Sequence, residues 1–191
     1  MTVAEQPVVF FRDKEAWEKW LESHFDSSPG VWLRIAKKSA GVESVSYQEA
    51  LDVALCHGWI DGQKKKWDDE TWIQKFTPRG KRSIWSKINR DKTAVLIAQG
   101  RMRPAGVAAI ERAKENGQWE SAYDPHSTAV VPDDFQKALD KSRRATKFFE
   151  TLNRQNRYAI LWRIQTAKKE ETRKRRIAQF IEMLKAGETL H

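Results

Sequence analysis

Two stretches hold the side chains best suited to chemistry. Trp59, Ile60 and Asp61 stand between Gly58 and Gly62, so an indole and a carboxylate sit where small neighbours let a ligand approach the backbone. Arg79, Lys81, Arg82, Ser83, Trp85, Ser86 and Asn89 then bring cations, hydroxyls and an amide to what reads as a helix start, where free backbone N–H groups favour a phosphate or carboxylate. Trp59, Asp61, Arg79, Ser83, Trp85, Ser86 and Asn89 are therefore the candidate ligand-binding set, with a small anion as the expected ligand. A purely structural reading stands beside it, in which Trp59 and Trp85 fill core, Asp61 caps a turn and Ser86 or Asn89 caps the helix.

Lys168, Lys169, Arg173, Lys174, Arg175 and Arg176 form a second candidate, a face that could neutralise nucleic-acid phosphates or simply lie in solvent. Trp67 and Trp72 beside Lys64, Lys65 and Lys66 mix stacking surface with cations, opposed by Asp68, Asp69 and Glu70. Asp61 could serve as a general base in an enzyme, although no partner for it is visible. Cys56 and His57 are neighbours, and successive helical side chains point about 100° apart, which suits a nucleophile and its base poorly. His24, His57, His126 and His191 show no zinc spacing, and no GxSxG, HExxH or GxGxxG motif occurs. The catalytic residues are unassigned, and no metal or cofactor is expected.

These residues need elements to hold them. Asp13 is placed to cap a helix with Ala16, Trp17, Trp20 and Leu21 on one face, and Val31–Ala36 alternates as a strand. Ser46 and Glu49 read as a capping box for a helix that stops near Gly58. Trp59 to Lys64 reads as a strand or turn, and Thr71 to Phe76 as a strand ended by Pro78. From Ser86 the pattern is helical, with Gly100 as a stop, Pro104 at the next N1 and Gly117 as its end. Further helices open at Pro132–Asp133, Ser142 and Asn153, and a stripe of Ile177, Phe180, Ile181 and Leu184 runs to Gly187. The expected class is α+β: a small N-terminal sheet with packed helices, then a helical C-terminal bundle. Residues 1–125 form the α+β domain, helical from about 86, and 126–191 the bundle.

The blocks Ala54–Gln63, Phe76–Arg79, Ser83–Asn89 and Gly100–Gly106 resemble the YdeI/OmpD-associated family, also described as bacteriocin-protection proteins. The end of the chain, from Val131–Phe135 through Arg173–Ile177, resembles that family's helical domain, so the resemblance runs over nearly the whole sequence. It implies a role in stress or bacteriocin protection, without an established reaction and without catalytic residues.

The formal charge of +9 on 191 residues is uneven: 61–103 and 126–191 each carry +7, against −3 for 1–60 and −2 for 104–125. Such a field favours anionic partners, whether small anions, acidic proteins or nucleic acid. No apolar run is long enough to span a bilayer, residues 1–20 lack the apolar core of a secretory signal, and Cys56 is the single cysteine. The cytoplasm is the expected location.

Overall fold

The computed structural model describes residues 6–191. The fold is α+β. The chain divides into two compact units, Met1–Ser83 with Asn89–Glu120, and Ile84–Ile88 with Ser121–His191.

The first unit is built on a four-stranded sheet in the order β1-β2-β4-β3. β2 (Val31–Ala36) and β4 (Thr71–Pro78) pair antiparallel, as do β4 and β3 (Trp59–Lys66). The turn between β3 and β4 is held by Asp68, whose Oδ1 accepts from the Glu70 and Thr71 amides and the Thr71 hydroxyl. β1 (Val8–Phe10) adds a parallel edge, Val8 opposite Trp32 and Phe10 opposite Arg34. This strand escapes the sequence pattern, because three residues carry no periodicity of their own and their conformation comes from β2.

Alternation along β2 sends Val31, Leu33 and Ile35 into the core. α1 (Lys14–His24) and α2 (Tyr47–Cys56) add buried Trp17, Leu21 and the apolar face of α2 to the same unit, Trp17 lying 5.7 Å from the Phe76 ring of β4 between centres. Asp13 caps α1 by accepting from the Ala16 amide at 2.8 Å, and the Ser46/Glu49 box closes the start of α2 from both sides. Trp17 and Trp59 are fully buried, and their indole N–H groups are satisfied by the Ala50 and Phe25 carbonyls at 3.1 and 2.9 Å. α2 ends in Gly58 at φ +74°, where a Cβ would stand 2.7 Å from the Ala105 carbonyl oxygen. α3 (Lys87–Ala98) leads to α4 (Pro104–Glu115), which has proline at its first position as the sequence suggests. α4 meets α2 at very short range: the Arg103 amide donates to the Cys56 carbonyl at 3.1 Å, and Gly106 faces that same carbonyl.

The second unit is helical: α5 (Asp133–Asp140), α6 (Arg143–Thr151), α7 (Arg154–Gln165) and α8 (Glu170–Ala186). Ser142 and Asn153 cap α6 and α7 through their side chains, and Gly187 ends α8 in the left-handed conformation. Phe135, Leu139, Phe149, Ile160, Ile164, Phe180 and Leu184 make its core. Ile84–Ile88 joins this unit through Ser86, which bridges Tyr123, while the Tyr123 amide donates to the Trp85 carbonyl at 3.0 Å.

Candidate functional site

The amphipathic stripe of α8 serves the core and also borders a groove. Ile177, Phe180, Ile181 and Leu184 are all buried, and Ile177 and Ile181, with exposed Ala178, lie on the side of α8 that faces Ala138 of α5. Between them runs an open groove of about 580 Å³ with an apolar floor and a charged rim. At one point of the rim Arg173 forks onto Asp134, Nε to Oδ2 at 2.6 Å and Nη2 to Oδ1 at 2.8 Å, while its Nη1 donates to the Ile164 carbonyl at 3.0 Å. The guanidinium holds the Asp134 carboxyl below its ordinary range through these hydrogen bonds. Lys174 pairs with Glu170 at 2.6 Å and Lys185 with Glu182 at 2.9 Å. Lys137 and Lys141, one turn apart along α5 and its C-cap, also line the groove, and among the described residues neither is held in an ion pair.

This geometry reorganises the basic cluster read from the sequence. Arg173 is committed to Asp134 and Ile164, Arg176 donates to the Arg163 carbonyl, and Lys174 is paired within its helix. Lys168, Lys169 and Arg175 are exposed. The groove itself left no local mark, since its walls come from segments some forty residues apart in the chain.

The other candidate set divides between the two units. Trp59, Asp61, Arg79, Ser83 and Asn89 belong to the first unit, Trp85 and Ser86 to the second. Trp59, Arg79, Trp85, Ser86 and Asn89 are buried. Half-buried Asp61 accepts from the Tyr47 hydroxyl at 2.9 Å, and Ser83 Oγ accepts from the Gly80 amide at 3.0 Å. The Arg79 carbonyl accepts from Arg112 at 3.1 Å. Lys64 lies 4.2 Å from the Trp72 ring centre, and Trp67 is exposed in the β3–β4 turn.

A smaller cleft of about 230 Å³ opens in the first unit beside the start of α4, lined by Glu22, Phe25, His57, Arg103, Pro104 and Ala105. Arg103 donates to Glu22 at 2.9 Å and Glu18 at 3.3 Å. His57 is 3% exposed, and its Nε2 makes no hydrogen bond. Burial first, then the Arg103 charge, pushes its pKa below the ordinary 6.5, against the pull of Glu18 and Glu22. In the unfolded chain His57 protonates near the ordinary value, while in the fold it stays neutral to lower pH. The unfolded state then binds more protons, so stability falls as pH drops below about 6.5, until folded His57 itself protonates. In His57→Gln the difference in urea midpoint between pH 7 and pH 5.5 is expected to shrink relative to the parent; an equal difference would place the titration elsewhere.

Residues 9–109, more than half of the 191-residue chain, match the family described as Domain of unknown function (DUF8412). Residues 128–187 match the family described as Bacteriocin-protection, YdeI or OmpD-Associated. The YdeI/OmpD-associated resemblance therefore stands over the helical second unit, whereas the blocks from Ala54 to Gly106 fall within the first match. No curated protein matches the chain, and no solved structure does. The α5–α8 groove lies inside the second matched segment. The chain thus belongs to the family described as Domain of unknown function (DUF8412), and it carries a YdeI/OmpD-associated domain in its C-terminal part.

Proposed function

We propose that this protein is a binding protein of the bacteriocin-protection-associated class, acting in the cytoplasm, whose second unit takes an acidic amphipathic helix of a partner protein in the α5–α8 groove. The observation that carries this reading is the groove's composition. Ala138, Ile177, Ala178 and Ile181 offer an apolar floor, and Lys137 and Lys141 add positive charge that the groove's own carboxylates do not pair. An amphipathic helix laid in such a groove buries its apolar face on the floor and sets its carboxylates against the rim. Rim charges act chiefly on partner choice and on the rate of encounter.

The test is a titration of the full chain with a helical peptide of leucine and glutamate at amphipathic spacing, followed by methyl NMR. Shifts are expected at Ile177, Ile181, Ala138 and Ala178, and Lys137→Glu with Lys141→Glu should weaken binding about tenfold or more. A twin peptide with lysine for glutamate should bind worse. Equal binding of the twin, or shifts confined to other residues, would reject the groove; displacement of the peptide by inorganic pyrophosphate at matching concentration would favour a small anion as its occupant.

A further inference from the structure

The sheet of the first unit has a second face, turned away from Val31, Leu33 and Ile35. Strand alternation puts Trp32 and Arg34 on it, and the antiparallel register sets Lys75 directly opposite Trp32. The parallel register sets Phe10 beside Arg34. Lys65 Nζ lies 4.5 Å from the Trp32 ring centre and Lys75 Nζ 5.8 Å, while the Arg34 guanidinium lies 4.9 Å from the ring centre of Phe10. Trp32 is half-buried and Phe10 is 38% exposed, so two aromatic rings reach solvent with three cations around them.

Carboxylates do not offset these charges on the strands. β1, β2 and β4 contain no acidic residue, and Asp61 on β3 is turned to the other face, where it meets Tyr47 of α2. In the β3–β4 turn Asp68 accepts from the Thr71 and Glu70 donors and feels the charge of Arg34, Asp69 pairs with Lys66 at 2.9 Å, and Glu70 is exposed. These acids stand at the end of the strands and leave Lys65 and Lys75 beside Trp32 unpaired by them. The sheet therefore presents rings interleaved with positive charge, where the solvent-facing side of an antiparallel sheet needs only polar cover.

From this arrangement we infer that the outer sheet face of the first unit binds single-stranded nucleic acid, bases stacking on Trp32 and Phe10 while Lys65, Lys75 and Arg34 neutralise the phosphates. Stacking requires an open ring face, which only unpaired bases can meet, so the chemistry selects single strands over duplex. The lysines that now lie over Trp32 have flexible stems, and a surface cation–π contact is weaker than a stacked base, so a base displaces them towards the backbone it brings. Readout is by stacking and charge, which predicts little sequence preference and steep salt dependence. The face is separate from the α5–α8 groove, and either site can fail without the other.

The experiment is fluorescence anisotropy of short labelled oligo-dT and oligo-U with the full chain, at low and at physiological salt. Binding that weakens steeply with salt is expected, the two oligomers deciding between DNA and RNA. Trp32→Ala should loosen it about tenfold or more, and Trp32→Phe should keep most of it. Should Trp32→Ala disturb the strand, Lys65→Glu with Lys75→Glu leaves the core intact and should weaken binding while flattening the salt dependence. A Lys168→Glu, Lys169→Glu, Arg175→Glu variant should bind as the parent does. The inference is overturned by absence of binding at low salt, by duplex competing as well as single strands, by full affinity in both sheet variants, or by loss confined to the α8 variant.

Discussion

Gly106→Ala should destabilise the first unit by about 2 kcal/mol net and lower its urea midpoint in proportion. At an ordinary helical position the same exchange helps, by about 1 kcal/mol, because glycine loses more backbone freedom on folding. Here the added Cβ would stand 2.2 Å from the Cys56 carbonyl oxygen and 2.7 Å from Met102 Cε. The methionine end can swing aside. The carbonyl cannot, because it ends α2 and accepts the Arg103 amide at 3.1 Å. α4 must therefore lift from α2, and the packing of buried Cys56, Ala109 and Ile110 loosens with it. Val107→Ala, one residue along on the exposed side, should shift the midpoint little. A midpoint for Gly106→Ala at or above that of the parent would show that α4 can move off α2 at no cost.

In the second unit the corresponding weak point is Phe135. Its ring is fully buried and meets Phe149 edge-on at 5.5 Å between centres. Truncation to alanine removes both the burial and the aromatic contact, at a cost of about 3–5 kcal/mol. A helical unit of this size draws only about 3–5 kcal/mol from a single core. Phe135→Ala is thus expected to leave α5–α8 essentially unprotected against amide hydrogen exchange, while Phe135→Leu, which keeps most of the volume, retains much of the protection. Protection of α6 and α8 unchanged in the alanine variant would mean that the core does not depend on this ring.

The parts legible in the sequence are those set by neighbours in the chain. Asp13, Ser46 with Glu49, Ser142 and Asn153 each close a helix start through a hydrogen bond spanning three residues, and each does so in the fold. β2 was legible because its alternation matches a half-covered sheet. β1 was not, since Val8–Phe10 owe their strand to a register with Trp32–Arg34. The same division holds for the sites. Arg173 and Arg176 read as solvent-facing cations because Asp134 and the Arg163 carbonyl, which engage them, lie elsewhere in the chain. Trp32 stood as one residue in a strand until pairing brought Lys65 and Lys75 to its ring.

The ribosome makes Ile84–Ile88 long before the segment it folds with. By the time Glu120 has emerged, every residue of the first unit exists, yet five residues inside that stretch still wait for Tyr123 and the helices beyond. During that interval the Trp85 carbonyl lacks its Tyr123 donor. A protein truncated after Glu120 would keep Ile84–Ile88 without the Tyr123 pairing, and would be expected to aggregate more readily than the full chain. One cut cannot remove the second unit whole, since five of its residues lie between two segments of the first.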